Sequence, residues 1–278
     1  MIKEITLDKE VCIEDFRKAV SFISEDILAV SVKGHNLVIE IEDNKGDIDT
    51  LIQKIINMSK KFKMISIEIP WYSNEIQNVE YHTLEEFSDI TFGFADGVYG
   101  FSGAAERLFA FFENKFEEIA LAVGAEKRKY PVLLPVDKYQ KTGYLKKSPQ
   151  YAIFCCNIYE NMDELENLSQ SVDRKKIRGH LKEPQYALSP SACFHSYIEF
   201  EGKTLEHNKT ISFEQSVFRN EGRFNYGEIG RLQDYHVREI VFFGDEEYVS
   251  SQRNRVMTLT KELLESFGLC GTIEKAYD

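Results

Sequence analysis

The sequence predicts an α+β protein: an antiparallel sheet flanked by helices, preceded by a small N-terminal α/β domain. Three observations carry this. Residues 1–70 alternate short strand-like and helix-like patterns. Residues 211–219 and 231–244 are β-patterned runs joined by a loop, hence an antiparallel pair. Helical patterns at 104–123 and 245–267 stand on either side of that pair in the chain.

Residues 2–7 read as a first strand. Residues 13–23 place Phe16, Ala19, Val20 and Ile23 at helical spacing. Residues 27–32 and 37–41 are β-like and flank Lys33-Gly34-His35-Asn36, a favourable hairpin turn. Residues 48–62 are again helical, with Leu51, Ile52, Ile55 and Ile56 on one face, and 64–69 alternate as a strand. The result is a domain over residues 1–80 with helices on one face of a small sheet, ending in a linker at 70–80. It holds no catalytic constellation.

The second domain, 81–278, opens on a glycine-rich run, with Gly93, Gly97, Gly100 and Gly103 ahead of a helix starting near Ser102. Glycines at a helix start can let backbone N–H groups cradle a phosphate. The spacing fits neither a P-loop nor a dinucleotide fingerprint, which weighs against a cradle. The helix over 104–123 carries Leu108, Phe111, Phe112, Phe116, Ile119, Ala120 and Val123, a broad apolar stripe that suits a core or a dimer seam. A short helix is expected at 136–144 and a strand at 151–156. That strand would point Cys155 and Cys156 to opposite faces, so they would not chelate one metal. Residues 161–178 read as a polar insertion or mobile helix. Strands follow at 192–200 and 211–219, then a long helix at 245–267 with Asp245 as N-cap and Gly268 at its end. A last strand spans 271–275.

The 278 residues are 43% hydrophobic and 29% charged, an ordinary globular composition with no run of membrane-spanning length. With no signal-peptide pattern at the start, the expected compartment is cytoplasmic. The five cysteines have no disulfide-framework spacing, so free thiols or metal ligands are the natural readings. A net charge of -12 argues against a broad nucleic-acid surface. Lys127-Arg128-Lys129 and Arg174-Lys175-Lys176-Ile177-Arg178 are the short basic clusters, and each reads more simply as a solvated face. An acidic whole with basic spots also fits docking of a small acidic protein.

The densest chemical signal lies in Phe218-Arg219-Asn220-Glu221 and the run from Gly230 through Arg231-Leu232-Gln233-Asp234-Tyr235-His236-Val237-Arg238-Glu239. Two neighbouring strands here can aim a guanidinium and a carboxylate into one cleft. Arg219 would grip a phosphate bidentately, and Glu221 would accept from an exocyclic amine. The plain alternative is a hairpin with a surface ion pair.

This stretch resembles motif 2 of class II aminoacyl-tRNA synthetases: an Arg-x-Glu, a variable loop, and a strand returning with aromatic and acidic residues. It is most similar to one branch, the amino acid:[carrier protein] ligases and their relatives, the zinc-dependent methanogen-type seryl-tRNA synthetases. Tyr130-Pro131-Val132-Leu133-Leu134-Pro135 with Tyr144-Leu145-Lys146-Lys147-Ser148-Pro149-Gln150, and Leu188-Ser189-Pro190-Ser191-Ala192-Cys193-Phe194-His195, resemble the same branch, as does Arg238-Glu239-Ile240-Val241. The likeness covers about residues 90 to 278, in matching order.

The resemblance implies an antiparallel sheet of class II type whose open face binds ATP, Mg²⁺ and an amino acid and forms an aminoacyl adenylate. It assigns Arg219 to the α-phosphate, Glu221 to the adenine amine, and Arg231 and Leu232 to nucleotide contact. It implies zinc held by Cys, Glu and Cys with one position open for the substrate amine, and puts Cys193 and Glu239 in the first two roles. His195 and His236 are nearby alternatives. The segment leading into the 104–123 helix corresponds to motif 1, which implies a homodimer. Two parts of the pattern are missing. Only Cys270 follows Glu239, too early for the third zinc ligand, and the chain reaches Tyr277-Asp278 before any motif 3. Full adenylation by this chain is therefore not a firm expectation. The acceptor reading favours a carrier-protein phosphopantetheine thiol over tRNA. A seryl-like tRNA synthetase and a noncatalytic nucleotide- or partner-binding relative remain open. By the same analogy a small zinc-ordered pocket would suit Gly, Ala or Ser.

Overall fold

The structure, a computed structural model, describes residues 1–42, 47–63, 72–74, 90–170, 173, 175–226, 231–269 and 271–273. The strand expected at 64–69, most of the linker at 70–80, and Cys270 lie outside these residues.

The N-terminal part holds β1 (Ile2–Thr6), α1 (Ile13–Val20), β2 (Ile27–Lys33), β3 (Asn36–Ile41) and α2 (Ile48–Ser59). β3 runs between β1 and β2 and is antiparallel to both. Gly34, at φ +63°, makes the two-residue turn of the expected hairpin. Phe16, Val20, Ile27, Leu37, Ile39, Ile41 and Ile55 are fully buried in one cluster. Asp47 caps α2 by accepting from the Asp49 and Thr50 amides.

Next come β4 (Tyr72–Asn74), β5 (Thr91–Ala95), β6 (Val98–Phe101) and α3 (Gly103–Ala122). β5 and β6 form a hairpin, so the glycine-rich run is a turn and not a phosphate cradle. Gly97 sits at its tip with φ +72°, and a Cβ there would lie 2.4 Å from the Tyr226 ring. The chain continues through β7 (Glu126–Lys127), β8 (Leu133–Pro135), α4 (Val136–Lys141), α5 (Tyr144–Lys147), β9 (Ile153–Cys155), α6 (Met162–Gln170) and β10 (Tyr186–Leu188). The single helix expected at 136–144 is two, broken at Gly143, whose φ is +73°. β10 lies between β8 and β9 in an antiparallel sheet. β9 ends at Cys155, and Cys155 and Cys156 are both half-buried free thiols.

The strand expected at 192–200 is a helix, α7 (Phe194–Glu199). A short apolar run has no unambiguous period. Here Phe194 and Ile198, one helical turn apart, pack together on the cluster of Leu134, Tyr139 and Ala187. β11 (Lys209–Phe218) and β12 (Asp234–Phe243) then pair antiparallel along ten residues each, from Lys209 opposite Phe243 to Phe218 opposite Asp234. β7 adds a parallel edge to β11. α8 (Glu246–Ser266) starts on Asp245, whose side chain accepts from the Tyr248 amide at 2.7 Å. β13 (Gly271–Ile273) pairs with β4.

Side chains alternate across the β11–β12 pair. On one face Ile211, Phe213, Val217 and Val241 pack with Ala192, Tyr130 and Tyr235. On the other, α3 and α8 approach: Arg238 meets Glu113 of α3, and Thr210 bonds Tyr248 of α8. Among the described residues no helix is long and apolar enough to cross a membrane.

Candidate active site

The face of β11–β12 turned away from α3 and α8 carries Phe213, Gln215 and Val217, then Arg219 just past the strand end, opposed by Tyr235, Val237 and Glu239. Arg219 is held by its surroundings. Its backbone N–H donates to Gln233 O at 2.8 Å, and its Nε donates to Pro190 O at 2.8 Å. The guanidinium lies over the Tyr235 ring, 5.5 Å from its centroid. No described residue accepts from its two Nη groups. The Ser189-Pro190 passage is therefore the seat of this arginine: Phe218 N also donates to Ser189 O, and Ser189 N to Val132 O.

Glu221 is nearly buried, and its Oε2 accepts from Arg231 Nη1 at 3.0 Å. The ion pair of the hairpin thus joins Glu221 to Arg231, across the loop, and not to Arg219. Leu232 is half-buried just before β12. Tyrosines stand beside Arg219 and Glu221. Tyr144 and Tyr235 both sense the charges of Arg219 and Glu221, and Tyr151 stands 6.4 Å from the Tyr144 ring. Burial pushes the Tyr144 and Tyr235 hydroxyls above their ordinary pKa, and Arg219 opposes the shift. Sequence reasoning gave these tyrosines no role. The available signal was their place in or beside the motif-bearing passages.

Cys193 stands at the N-terminal end of α7, not on a strand. Its Sγ lies 3.2 Å from Ser191 Oγ, and Tyr197 also bonds it. Burial raises its pKa, and the nearby Glu239 carboxylate adds to the rise. Burial likewise raises Glu239, with Arg219 opposing. Cys193, Glu239 and Arg219 therefore share one electrostatic neighbourhood on one face. His195 does not join them: its Nε2 meets Leu133 O at 3.0 Å, its Nδ1 meets Gln215 at 3.5 Å, and burial lowers its pKa. It is a fixed core histidine. His236 sits three residues from Glu239 on the strand, hence on the opposite face, 3.6 Å from Glu214. Among the described residues the one group of three close His, Cys, Asp or Glu donors is Glu113, Glu214 and His236, on that opposite face. As zinc donors on the site face, Cys193 and Glu239 supply one sulfur and one carboxylate. No third His, Cys, Asp or Glu donor groups with them among the described residues.

No protein-family profile matches the chain. Its curated relatives include the type-2 serine–tRNA ligase of Methanocaldococcus jannaschii, 25% identical over 162 residues, which span 55% of this chain and 31% of that one. The amino acid–[acyl-carrier-protein] ligase 1 of Bradyrhizobium diazoefficiens is 26% identical over 194 residues, 66% of this chain and 56% of that one. The chain thus spans about a third to a half of the relatives it matches. Among solved structures, the M. kandleri SerRS in complex with A. aeolicus tRNASec superposes with a TM-score of 0.69 at 15% identity, covering 98% of this chain and 56% of that one. The likeness read from the motifs holds: the relatives are type-2 serine–tRNA ligases and amino acid–carrier-protein ligases, and the mixed helix and antiparallel-sheet fold matches that of a class II synthetase.

Proposed function

We propose that this chain activates an amino acid with ATP and passes it to the phosphopantetheine thiol of a carrier protein. The observation that carries the reading is Arg219, whose backbone N–H and Nε are both fixed while its two Nη groups have no acceptor among the described residues. A guanidinium held in this way is prepared for a phosphate, because its position is set before the ligand arrives. In this reading the amino-acid carboxylate attacks the α-phosphate, the bond to the β-phosphate bridge oxygen breaks, and pyrophosphate leaves. Arg219 offsets the charge that builds on the α-phosphate. Glu221 keeps Oε1 for the adenine amine while Arg231 holds Oε2, and Arg231 and Leu232 border the nucleotide. Mg²⁺, when bound with the nucleotide, would supply further charge neutralisation at the phosphates. Cys193 and Glu239 would contribute two donors to a zinc that orders the substrate amine.

The division into an N-terminal domain over 1–80 and a synthetase-like domain over 81–278, a cytoplasmic setting, and a homodimer are part of the same proposal. The α3 surface supports the dimer: Leu108, Phe111, Phe116 and Leu121 are exposed, beside an apolar cavity of about 820 Å³ among α3, β12 and α8. tRNA is the second acceptor reading. It is favoured by the serine–tRNA ligases among the sequence relatives. ATP–pyrophosphate exchange across all amino acids tests activation. Charging of an acyl carrier protein against charging of tRNA then separates the two acceptors. No exchange with any amino acid, despite ATP binding, would leave the noncatalytic reading.

A further inference from the structure

We infer that the N-terminal unit forms one wall of the nucleotide site, and that Asn225 is its positioning residue. This rests on the nucleotide reading of Arg219 and Glu221. Residues 222–226, the described part of the loop after Glu221, lie against the end of α1 and the turn that follows it. Asn225 is buried, and its Nδ2 donates to Lys18 O at 2.9 Å and to Glu221 O at 2.6 Å. Arg223 Nη2 donates to Ser24 O at 2.9 Å, and Arg17 Nη1 donates to Phe224 O at 3.4 Å. Phe224 packs on the N-terminal core. Gly222 has φ +90°, and a Cβ there would stand 2.1 Å from Ser21 Oγ, so only glycine permits this approach.

The consequence reaches Glu221 through its backbone. Its N–H donates to the Tyr226 hydroxyl at 2.7 Å, and its carbonyl accepts from Asn225. Both of these side chains belong to the strapped loop. Tyr226 is backed by the Gly97 turn, and Asn225 by Lys18. Phe22 adds an edge-on contact with Tyr151, whose carbonyl accepts from Asn220 N. A loop between two strands is ordinarily free to move. Here residues 222–226 are fixed by a second unit, and the residue they hold is the one expected to read the base. The plain alternative is that Asn225 only adds a second, shorter hydrogen bond to the Lys18 carbonyl near the end of α1, which also accepts from Ser21 Oγ at 3.4 Å.

Calorimetric titration of the full chain with ATP, paired with hydrogen exchange over 221–226, separates these readings. Asn225→Ala is expected to weaken ATP by about tenfold or more, the scale of one lost buried hydrogen-bond partner, and to speed exchange in the loop. Arg223→Ala is expected to do the same to a smaller degree, and Arg223→Lys to restore affinity. Arg219→Ala serves as the reference for the site itself. If Arg219→Ala loses ATP while the Asn225 and Arg223 variants, with a loosened loop, bind like the parent, the strap inference is overturned and the site stands. If the parent shows no specific ATP heat, or Arg219→Ala binds ATP like the parent, the site reading falls and takes the inference with it. Should Asn225→Ala not fold, the Arg223→Ala and Arg223→Lys pair decides alone: equal affinity in both overturns the inference.

Discussion

The two faces of the β11–β12 pair carry similar charged residues and treat them in opposite ways. On the face covered by α3 and α8, Arg238 is 7% exposed and is bound by Glu113, by Glu117 at 3.6 Å and by Ser212 at 3.2 Å. His236 lies against Glu214 and the Phe109 ring. On the open face, among the described residues, the two Nη groups of Arg219 have no acceptor and the carboxylate of the half-buried Glu239 has no hydrogen-bond donor. Burial raises Glu239 and Cys193 there. A sheet selected for stability alone would pair these groups as it pairs Arg238. Groups shifted by burial and gathered on one face are what the proposed ligand site requires.

The comparison breaks first at Arg238. Arg238→Ala strands Glu113 in a largely covered position, and losing one partner of such a pair costs about 3–5 kcal/mol. Chemical denaturation should show that loss, while the folded fraction binds ATP like the parent. A large loss of affinity in fully folded protein would mean the two faces are not separable. Arg219→Ala is the mirror case. It should leave stability within about 1 kcal/mol and remove on the order of a few kcal/mol of ATP binding, as for a charged hydrogen-bond partner. Unchanged calorimetric affinity would return the hairpin to the plain structural reading.

The sequence revealed much of this arrangement, and unevenly. The hairpin, both long helices, the Asp245 cap and the described N-terminal strands follow from periods and turn residues sustained over many positions. Arg219 and Glu221 are legible through the Arg-x-Glu pattern at the end of a strand-like run and its resemblance to motif 2, although β11 ends at Phe218 and both lie past it. Their partners are not legible. The carbonyl of Pro190, the Arg231 guanidinium and Asn225 reach the site across loops, and no local pattern encodes that. Cys193 was placed on a strand because its run is short and apolar. Tertiary packing of Phe194 and Ile198 made it a helix start. The basic run at 127–129 read as a solvated face, and Lys127 and Arg128 are in fact paired with Glu117, Glu126 and Glu199.

Glu239→Gln sharpens the contrast with a smaller effect of opposite sign. The Glu239 pKa is raised in the folded chain, mainly by burial. The folded state therefore holds its proton more tightly than the unfolded state does. That contribution to stability is present at low pH and is lost as pH rises above the unfolded value, through the folded one. At neutral pH the charged carboxylate costs stability that glutamine does not. Glu239→Gln should raise stability at pH 7 by about 1 kcal/mol, the usual scale where a functional residue is relieved, and the gain should vanish near pH 4. A loss at pH 7 would show that Glu239 is stabilised by a partner, and the open face would lose its distinguishing feature.

The smallest effect concerns metal, and it also sets one face against the other. The covered face has three close donors in Glu113, Glu214 and His236, yet Glu113 is already engaged by Arg238, which opposes a cation there. The open face has two donors, a thiol and a carboxylate, with the Arg219 charge near the carboxylate. Three protein ligands with one exchangeable position is the general form of a reactive zinc site, so two donors should hold the ion weakly. Protein purified without chelator should carry well under one zinc per chain by elemental analysis. Cys193→Ser should remove what is present, and His236→Ala should not. Zinc that survives Cys193→Ser and leaves with His236→Ala would move the metal to the covered face. Cys193 would then be an ordinary buried thiol, and the proposed amino-acid site on the open face would work without a metal.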